Sequence, residues 1–581
     1  MAATAAAVVA PMLVVHWFSL GHGVLAQLVA VFGWGLAIAA WSTVRSRAAI
    51  PWRPLAPLLL ALGGVACGVA ASAWAHRAPG GVWLGSLGVL AAAAATACAG
   101  ARAARQRPEW ATRALMWGLA AAAFLSLLLA AVQLAAPGWA PAWLVAPVRT
   151  PGRASANIEQ PNHLATLLVW AWLAVAVWSA RTQAPPAADA LPRAAAPSFA
   201  SAGALRAGLP AVPPPVQLPS GPAFLAAFAL QAGVVATASR AGLLASLAIG
   251  LWAALDRRLP RPTAWLLWIS ALGGLTMTLG RALVTPATML GTGASLVRPG
   301  ARGGVFMDTL ALIREAPLTG VGWMEFQLAW SLTPLGDRGP RYFDHPHNLV
   351  LGLIVEFGLP LGLAICGCLI WGAARLLRSL HHVAPAARPR ALMLAALLAV
   401  AGLHSLFDAP FGVAYLLLPA AWAWGCLAGL QAGPPETAPP GPAAQERLWR
   451  ERSGLVVAGT VLVVGTLVVG LDFRRALPAA TPLAAAAPPA GRVAPAALRL
   501  LRRPSPRPRR GRRVAGNVPR RTLDVDRHAA ARRLGGRAGA RRPRGRGALP
   551  DAARARVPRP GVHALAGRLP GRRAARAALA L

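Results

Sequence analysis

The sequence predicts an all-α polytopic membrane protein of about 12–13 transmembrane helices, the number of apolar runs long enough to cross a bilayer. Three observations carry this reading. Of the 581 residues, 56% are hydrophobic and only 13% are charged, well below the charged share of a soluble domain. The mean hydropathy is +0.51. Apolar runs recur along the chain, and the arginines fall mostly in every second gap between them.

The runs lie near 2–20, 24–42, 55–75, 82–101, 113–135, 163–180, 222–238, 241–255, 263–283, 347–373, 391–408, 411–430 and 454–471. The first has no basic residue before it and reads as a retained helix rather than a removed signal peptide. Arg45, Arg47 and Arg53 follow the second run, and Arg102, Arg105 and Arg107 the fourth. Arg257, Arg258 and Arg261 follow the eighth, Arg375, Arg378, Arg388 and Arg390 the tenth, and Arg447, Arg450 and Arg452 the twelfth. The positive-inside rule places these loops and the N-terminus in the cytoplasm. Arg77, Arg149 and Arg153 stand against the bias, and the segment 284–346 is long enough to translocate whatever its charge.

Residues 1–472 therefore read as one membrane domain. It carries a flexible cytoplasmic insertion at 182–221, rich in Ala and Pro, and a long extracytoplasmic loop at 284–346. The tail 473–581 turns arginine-rich from about Val493, holds no aromatic residue beyond histidine after that point and cannot bury a core. It reads as disordered, either an out-of-frame translation of a GC-rich gene or a basic tail for anionic lipid or polymer. The net charge of +40 is all arginine and lies largely in that tail and in cytoplasmic-type loops, so it does not indicate a nucleic-acid partner. The five cysteines sit in apolar runs. Cys366-Gly367-Cys368 is too closely spaced for zinc and has no second pair, so neither a metal site nor a disulfide framework is implied.

The polar clusters all fall in the loops assigned to the extracytoplasmic face. Asp344-His345-Pro346-His347-Asn348 opens the tenth run. A neutral imidazole there can take a proton from a hydroxyl, and a carboxylate can orient it. Helix capping by Asp344 or Asn348 is the structural alternative. Ser239-Arg240 places a guanidinium between two apolar runs, where it clamps a phosphate or snorkels to the interface. Arg302 is a second phosphate contact or a solvated loop charge. Gln160, Asn162 and His163 begin the sixth run with groups that bond sugars or cap the helix, and Trp323 in Gly320-Val321-Gly322-Trp323 packs on a sugar or at the interface. His404 and Asp408, four apart, share one helix face as a site wall or a satisfied buried pair.

Taken in order, Gln160-Pro161-Asn162-His163, Ser239-Arg240, Pro317-Leu318-Thr319-Gly320-Val321-Gly322-Trp323, His345-Pro346-His347-Asn348 and His404-Ser405-Leu406-Phe407-Asp408-Ala409-Pro410 resemble the bacterial O-oligosaccharyltransferases of the PglL type. These belong to the superfamily of O-antigen ligases and polymerases. The resemblance spans about residues 1–470. It implies a GT-C-like inner-membrane enzyme with its site facing the periplasm. Such an enzyme moves a glycan from undecaprenyl diphosphate to Ser or Thr hydroxyls of an exported, pilin-like protein, with no metal ion and no cofactor. By motif match His347 is the essential histidine, and Arg240 and Arg302 hold the diphosphate. Gln160, Asn162, His163, His345, Asn348, His404 and Asp408 would line the substrate site. The chain departs from the family pattern in four places: Asp408 stands where Glu is usual, His16-Trp17-Phe18-Ser19 lacks the motif Pro, Gln27 lies near the place of a motif Glu, and the arginine-rich tail stands where the family has a periplasmic C-terminal domain. O-antigen ligation to lipid A-core, O-antigen polymerisation and lipid-linked sugar transport are the competing functions.

Overall fold

The computed structural model describes residues 1–17, 24–44, 47–76, 80–148, 150–181, 219–284, 301–334, 343–408, 410–435 and 439–485. The expected cytoplasmic insertion, most of the basic tail and the start of the long loop lie outside them. Among the described residues, Met1–Leu477 form one compact unit. The apolar runs and the polar clusters between them lie within it.

The described residues form helices α1 (Ala2–Val14), α2 (Val24–Thr43), α3 (Trp52–His76), α4 (Gly80–Gln106), α5 (Pro108–Ala135), α6 (Pro161–Arg181), α7 (Gly221–Thr237) and α8 (Arg240–Leu255). They continue as α9 (Arg261–Val284), α10 (Ala301–Glu315), α11 (Phe326–Leu332), α12 (Leu349–Arg378), α13 (Arg388–Ser405), α14 (Ala414–Gln431) and α15 (Pro442–Ala485). Among the described residues, nine helical segments are long and apolar enough to cross a membrane, and three shorter apolar helices cover Ala2–Trp17, Gly221–Thr237 and Arg240–Leu255. With α14, each predicted run has its helix. The long loop holds α10 and α11, which the sequence pattern does not suggest.

Helix α14 is buried from Ala414 to Leu430 except at Leu417, so its sequence shows no amphipathic face. It lies close against α4. A Cβ on Gly425 would meet the Ala97 carbonyl oxygen at 2.0 Å, the near approach of backbones that small residues permit in membrane bundles. Trp422 packs against Trp34 and Trp41 of α2, with ring centroids 5.5 and 5.9 Å away. Outward-facing Leu60, Leu128, Val461 and Val468 stay exposed on the bundle perimeter, where lipid is their solvent.

Several of the arginines assigned to the cytoplasm satisfy backbone carbonyls of neighbouring segments. Arg105 donates to Ala49 O and Gly433 O, Arg102 to Ala48 O and Arg452 to Ser42 O. Arg390 pairs with Glu109 at 2.7 Å.

The tenth predicted run is not one continuous helix. Gly358, at φ 79° and ψ 167°, breaks α12. The freed backbone groups bond to the segment ahead of α11: Val321 N donates to Val355 O at 2.8 Å, Gly322 N to Glu356 O at 3.1 Å and Leu359 N to Pro317 O at 2.7 Å. Gly320, also at positive φ, faces the break, and a Cβ there would come within 2.4 Å of Glu356 O. Trp323 locks the junction. Its ring stacks on Phe357 at 5.4 Å, and its indole N–H donates to Ser86 Oγ. That aromatic is therefore committed to packing. Residues 359–378, about 30 Å of helix at 1.5 Å per residue, are long enough to span a bilayer alone, and 349–357 form a short cap carrying the histidine loop.

Candidate functional site

Asp408 is the hub of the polar network. It lies just beyond α13 and is 2% exposed. Asn162 Nδ2 donates to its Oδ2 at 2.5 Å. His347 Nδ1 lies 3.1 Å and His345 Nε2 3.5 Å from its Oδ1. Asn162 in turn accepts from Ser239 Oγ at 2.9 Å and from Arg153 Nη2 at 3.4 Å. Two distant segments thus bond the Asp408 carboxylate directly, and Asn162 links Ser239 and Arg153 to it.

Two of these segments arrive with their helix ends already capped. Ser239 Oγ accepts from Gly242 N at the start of α8, and Asn348 Oδ1 from Leu351 N at the start of α12. Asn348 Nδ2 also ties the histidine loop to Leu406 O. The capping alternative is correct for Asn348, and Ser239 caps α8, a role outside the two read for its segment, which leaves the imidazoles available to the carboxylate. His347 has φ 52°, and Ala238 and Glu159, which precede the Ser239 and Gln160 segments, have φ 49° and 60°. Such left-handed residues other than glycine cost about 1–3 kcal/mol each and cluster where geometry serves function.

The two histidines differ. Burial would lower the His345 pKa, but its hydrogen bonds to Asp344 and Asp408 outweigh that and raise it to about 9. Its Nδ1 lies 2.6 Å from Asp344, so both nitrogens are engaged and the ring is a cation near neutral pH. Burial would raise the Asp408 carboxyl, yet its bonds with His345 and His347 hold it well below the ordinary carboxylate range. An ionised Asp408 accepts the Nδ1 proton of His347 and leaves the lone pair on Nε2, which has no hydrogen-bond partner among the described residues. Phe343 meets the same ring edge-on at 5.7 Å. His347 has the geometry of a general base.

The sign of the His345 shift makes a prediction. A pKa raised above its unfolded value stabilises the fold fully below about pH 6.5, and that contribution is lost as pH rises through about 9. The melting temperature should fall between about pH 7 and 10 by more in the wild type than in His345→Gln. Parallel curves would refute the assignment.

Arg240 begins α8 beside Ser239. It is exposed, and its guanidinium makes no hydrogen bond or ion pair among the described residues, so it remains available to an anion. Arg302 falls in the first turn of α10, with its side chain outside the described residues. Gln160 accepts from the Asn162 backbone at 3.4 Å. His163 bonds Tyr415 OH at 2.8 Å, and His404 Nδ1 lies 2.7 Å from Thr166 Oγ1. These two histidines support α6 against α13 and α14.

Sequence reasoning misses Arg153, Thr166 and Tyr415 as parts of this network. Arg153 also donates to Thr237 O at 2.9 Å, so this arginine, which stands against the charge bias between the apolar runs, is held by backbone and side-chain acceptors. Gln27, near the place of a family Glu, accepts from the Ala414 backbone N–H at the head of α14. A hydrogen-bond acceptor is what that position uses here, and an amide supplies it. Asp344, His345 and His347 present donor atoms all within 4.8 Å of one another, a group that could hold a metal ion only with His345 deprotonated.

Residues 224–366 match the O-antigen ligase family. The match supports the O-antigen ligase and polymerase superfamily, and with it a glycosyl-transferring role. It contains Arg240, Arg302, His345, His347 and Asn348, whereas Asn162 and Asp408 lie outside it. A search of curated proteins finds no match to the chain.

Proposed function

We propose that the protein transfers a glycan from undecaprenyl diphosphate to Ser or Thr hydroxyls of exported proteins such as pilins, on the periplasmic face of the inner membrane. The observation that carries this reading is the His347–Asp408 pair at 3.1 Å, with Arg240 at the head of the helix whose cap, Ser239, bonds Asn162. His347 Nε2 takes the acceptor's hydroxyl proton, and the oxygen attacks the anomeric carbon. The bond from that carbon to the diphosphate oxygen breaks, and the diphosphate leaves on its lipid. Arg240, and Arg302 by family likeness, offset the charge that develops on it. Asn162 holds Asp408, and Asp408 holds the base.

The protein acceptor rests on the likeness of Gln160-Pro161-Asn162-His163 and of the motif from His404 to Pro410 to the protein-glycosylating branch. The O-antigen ligase match favours a second reading, with a lipid A-core sugar as acceptor. Purified enzyme should be given lipid-diphosphate glycan with a pilin-like protein or with lipid A-core, and the product identified. Arg240→Ala should lower transfer about 10²–10³-fold, the effect of removing one charge-stabilising donor. Translocation of the lipid-linked sugar without transfer would overturn the proposal. The route through arginines and His347 is metal-independent, so prior treatment with EDTA should leave the rate unchanged. Loss of activity restored by a divalent cation would instead assign the Asp344, His345 and His347 group to a metal.

A further inference from the structure

Three tryptophans stand exposed on the side that carries the polar clusters. Trp17 lies just beyond α1, and Trp139 and Trp143 lie on the loop between α5 and α6. His16, Trp17, Ala142 and Trp143 line a cavity of about 540 Å³, inside the range of about 300–1,000 Å³ for small-molecule sites. Trp17 Nε1 donates to Trp143 O at 2.7 Å, and His16 Nε2 lies 2.9 Å from the same oxygen. A carbonyl only accepts, so Nε2 carries the ring proton and one carbonyl pins two rings. A tryptophan of an interfacial belt turns its N–H to headgroups and water. The N–H of Trp17 is spent within the protein instead, while its ring stays half exposed.

This aromatic wall is tied to the Asp408 network. Asn157 Nδ2 donates to Leu13 O at 3.1 Å and to Leu144 O at 2.9 Å, and its Oδ1 accepts from Ala146 N at 3.0 Å. Gln133 Nε2 donates to Ala146 O at 2.8 Å, while its Oε1 accepts from Ser155 N and Ala156 N. Both amides are buried, so the wall and residues 155–157 are held as one piece. Asn162, which holds Asp408, follows Asn157 by five residues, at most about 18 Å of chain. A ligand reacting at His347 and extending over several rings reaches the wall. Sugar rings present C–H faces that pack on the electron-rich faces of indoles. Resting on glycan transfer as the function, we propose that Trp17 and Trp143 form a distal subsite for the donor glycan. They stack on sugars beyond the one bonded to the diphosphate.

Full-length enzyme would be given two undecaprenyl diphosphate donors that share their first sugar, one ending there and one extended to five sugars. Trp143→Ala removes a ring and leaves the carbonyl that pins Trp17 and His16, and Trp74→Ala, exposed on α3, is the control. In Trp143→Ala, KM for the five-sugar donor should rise about two- to tenfold, the range for one aromatic contact. KM for the single-sugar donor, which does not reach the wall, should not follow it. Trp143→Phe should restore most of the difference, because a ring face is kept. Equal rises on both donors, none on either, or the same rise in Trp74→Ala would overturn the proposal. Saturation-transfer NMR with the lipid-free five-sugar glycan needs no turnover. Contacts seen with the wild type and lost in Trp143→Ala support the subsite, and contacts equal in both or absent from both refute it. A wild type that binds this glycan yet transfers none would defeat the functional reading alone.

Discussion

Asp408→Asn is expected to lower glycan transfer about 10²–10⁴-fold, the range of a lost general base, while the protein still folds. Asparagine keeps the volume of Asp408 and both contact atoms. It removes the charge that fixes the Nδ1 proton of His347, and it offers an amide N–H to one of three neighbours that now all point donors at the carboxylate. The imidazole can then flip its tautomer, placing the proton on Nε2 where the acceptor hydroxyl needs a lone pair. His347→Ala should lose as much, and the double variant should be no worse than the worse single, because the two residues act as one unit. Asp408→Glu should retain more activity than Asp408→Asn, since it keeps the charge and is the residue usual in the resembling family. The measurement is transfer rate at saturating donor, with melting temperature as the control. Asp408→Asn within about tenfold of wild type, outside the range for a base, would remove Asp408 from the proton path.

The fold is legible in the sequence because the bilayer imposes length and hydropathy on each crossing segment, and those are local properties. Thirteen apolar runs have helices at matching positions. The break at Gly358 is hidden, since 347–373 reads as one apolar run and only the backbone of Pro317–Gly322, far away in sequence, shows where its hydrogen bonds go. The histidine pair is conspicuous because imidazoles are rare at a helix entry. The importance of Asp408 is not. Its chain neighbours suggest a pair with His404, whereas the structure joins it to His347, 61 residues away, and to Asn162, 246 residues away. Arg153 reads in the sequence only as a charge on the wrong side. One sequence carries no record of contacts between distant segments, so the hub of the site is the least readable part of it.

Gly425→Val should reduce the yield of folded protein sharply, and the part that folds should melt at lower temperature. A Cβ at this position meets Ala97 O at 2.0 Å and Ala101 N at 2.9 Å. Both are backbone atoms of α4 and cannot rotate away, so α4 and α14 must separate. Overpacking of this kind costs about 1–3 kcal/mol and at times more, a large part of the stability of a folded chain. The damage should reach the site. Tyr415, which holds His163, lies in the first turn of α14, and Asp408 lies six residues before that helix begins. Surviving Gly425→Val enzyme should therefore have a reduced kcat, with Gly425→Ala intermediate in both stability and rate. Gly367→Ala, in the lower half of α12 where an added Cβ meets nothing within 4 Å, supplies the control. Alanine there should be neutral or slightly stabilising, because it lowers the entropy of the unfolded chain. If Gly425→Val and Gly367→Ala melt together, the close approach of α4 and α14 is not what holds Asp408 in place.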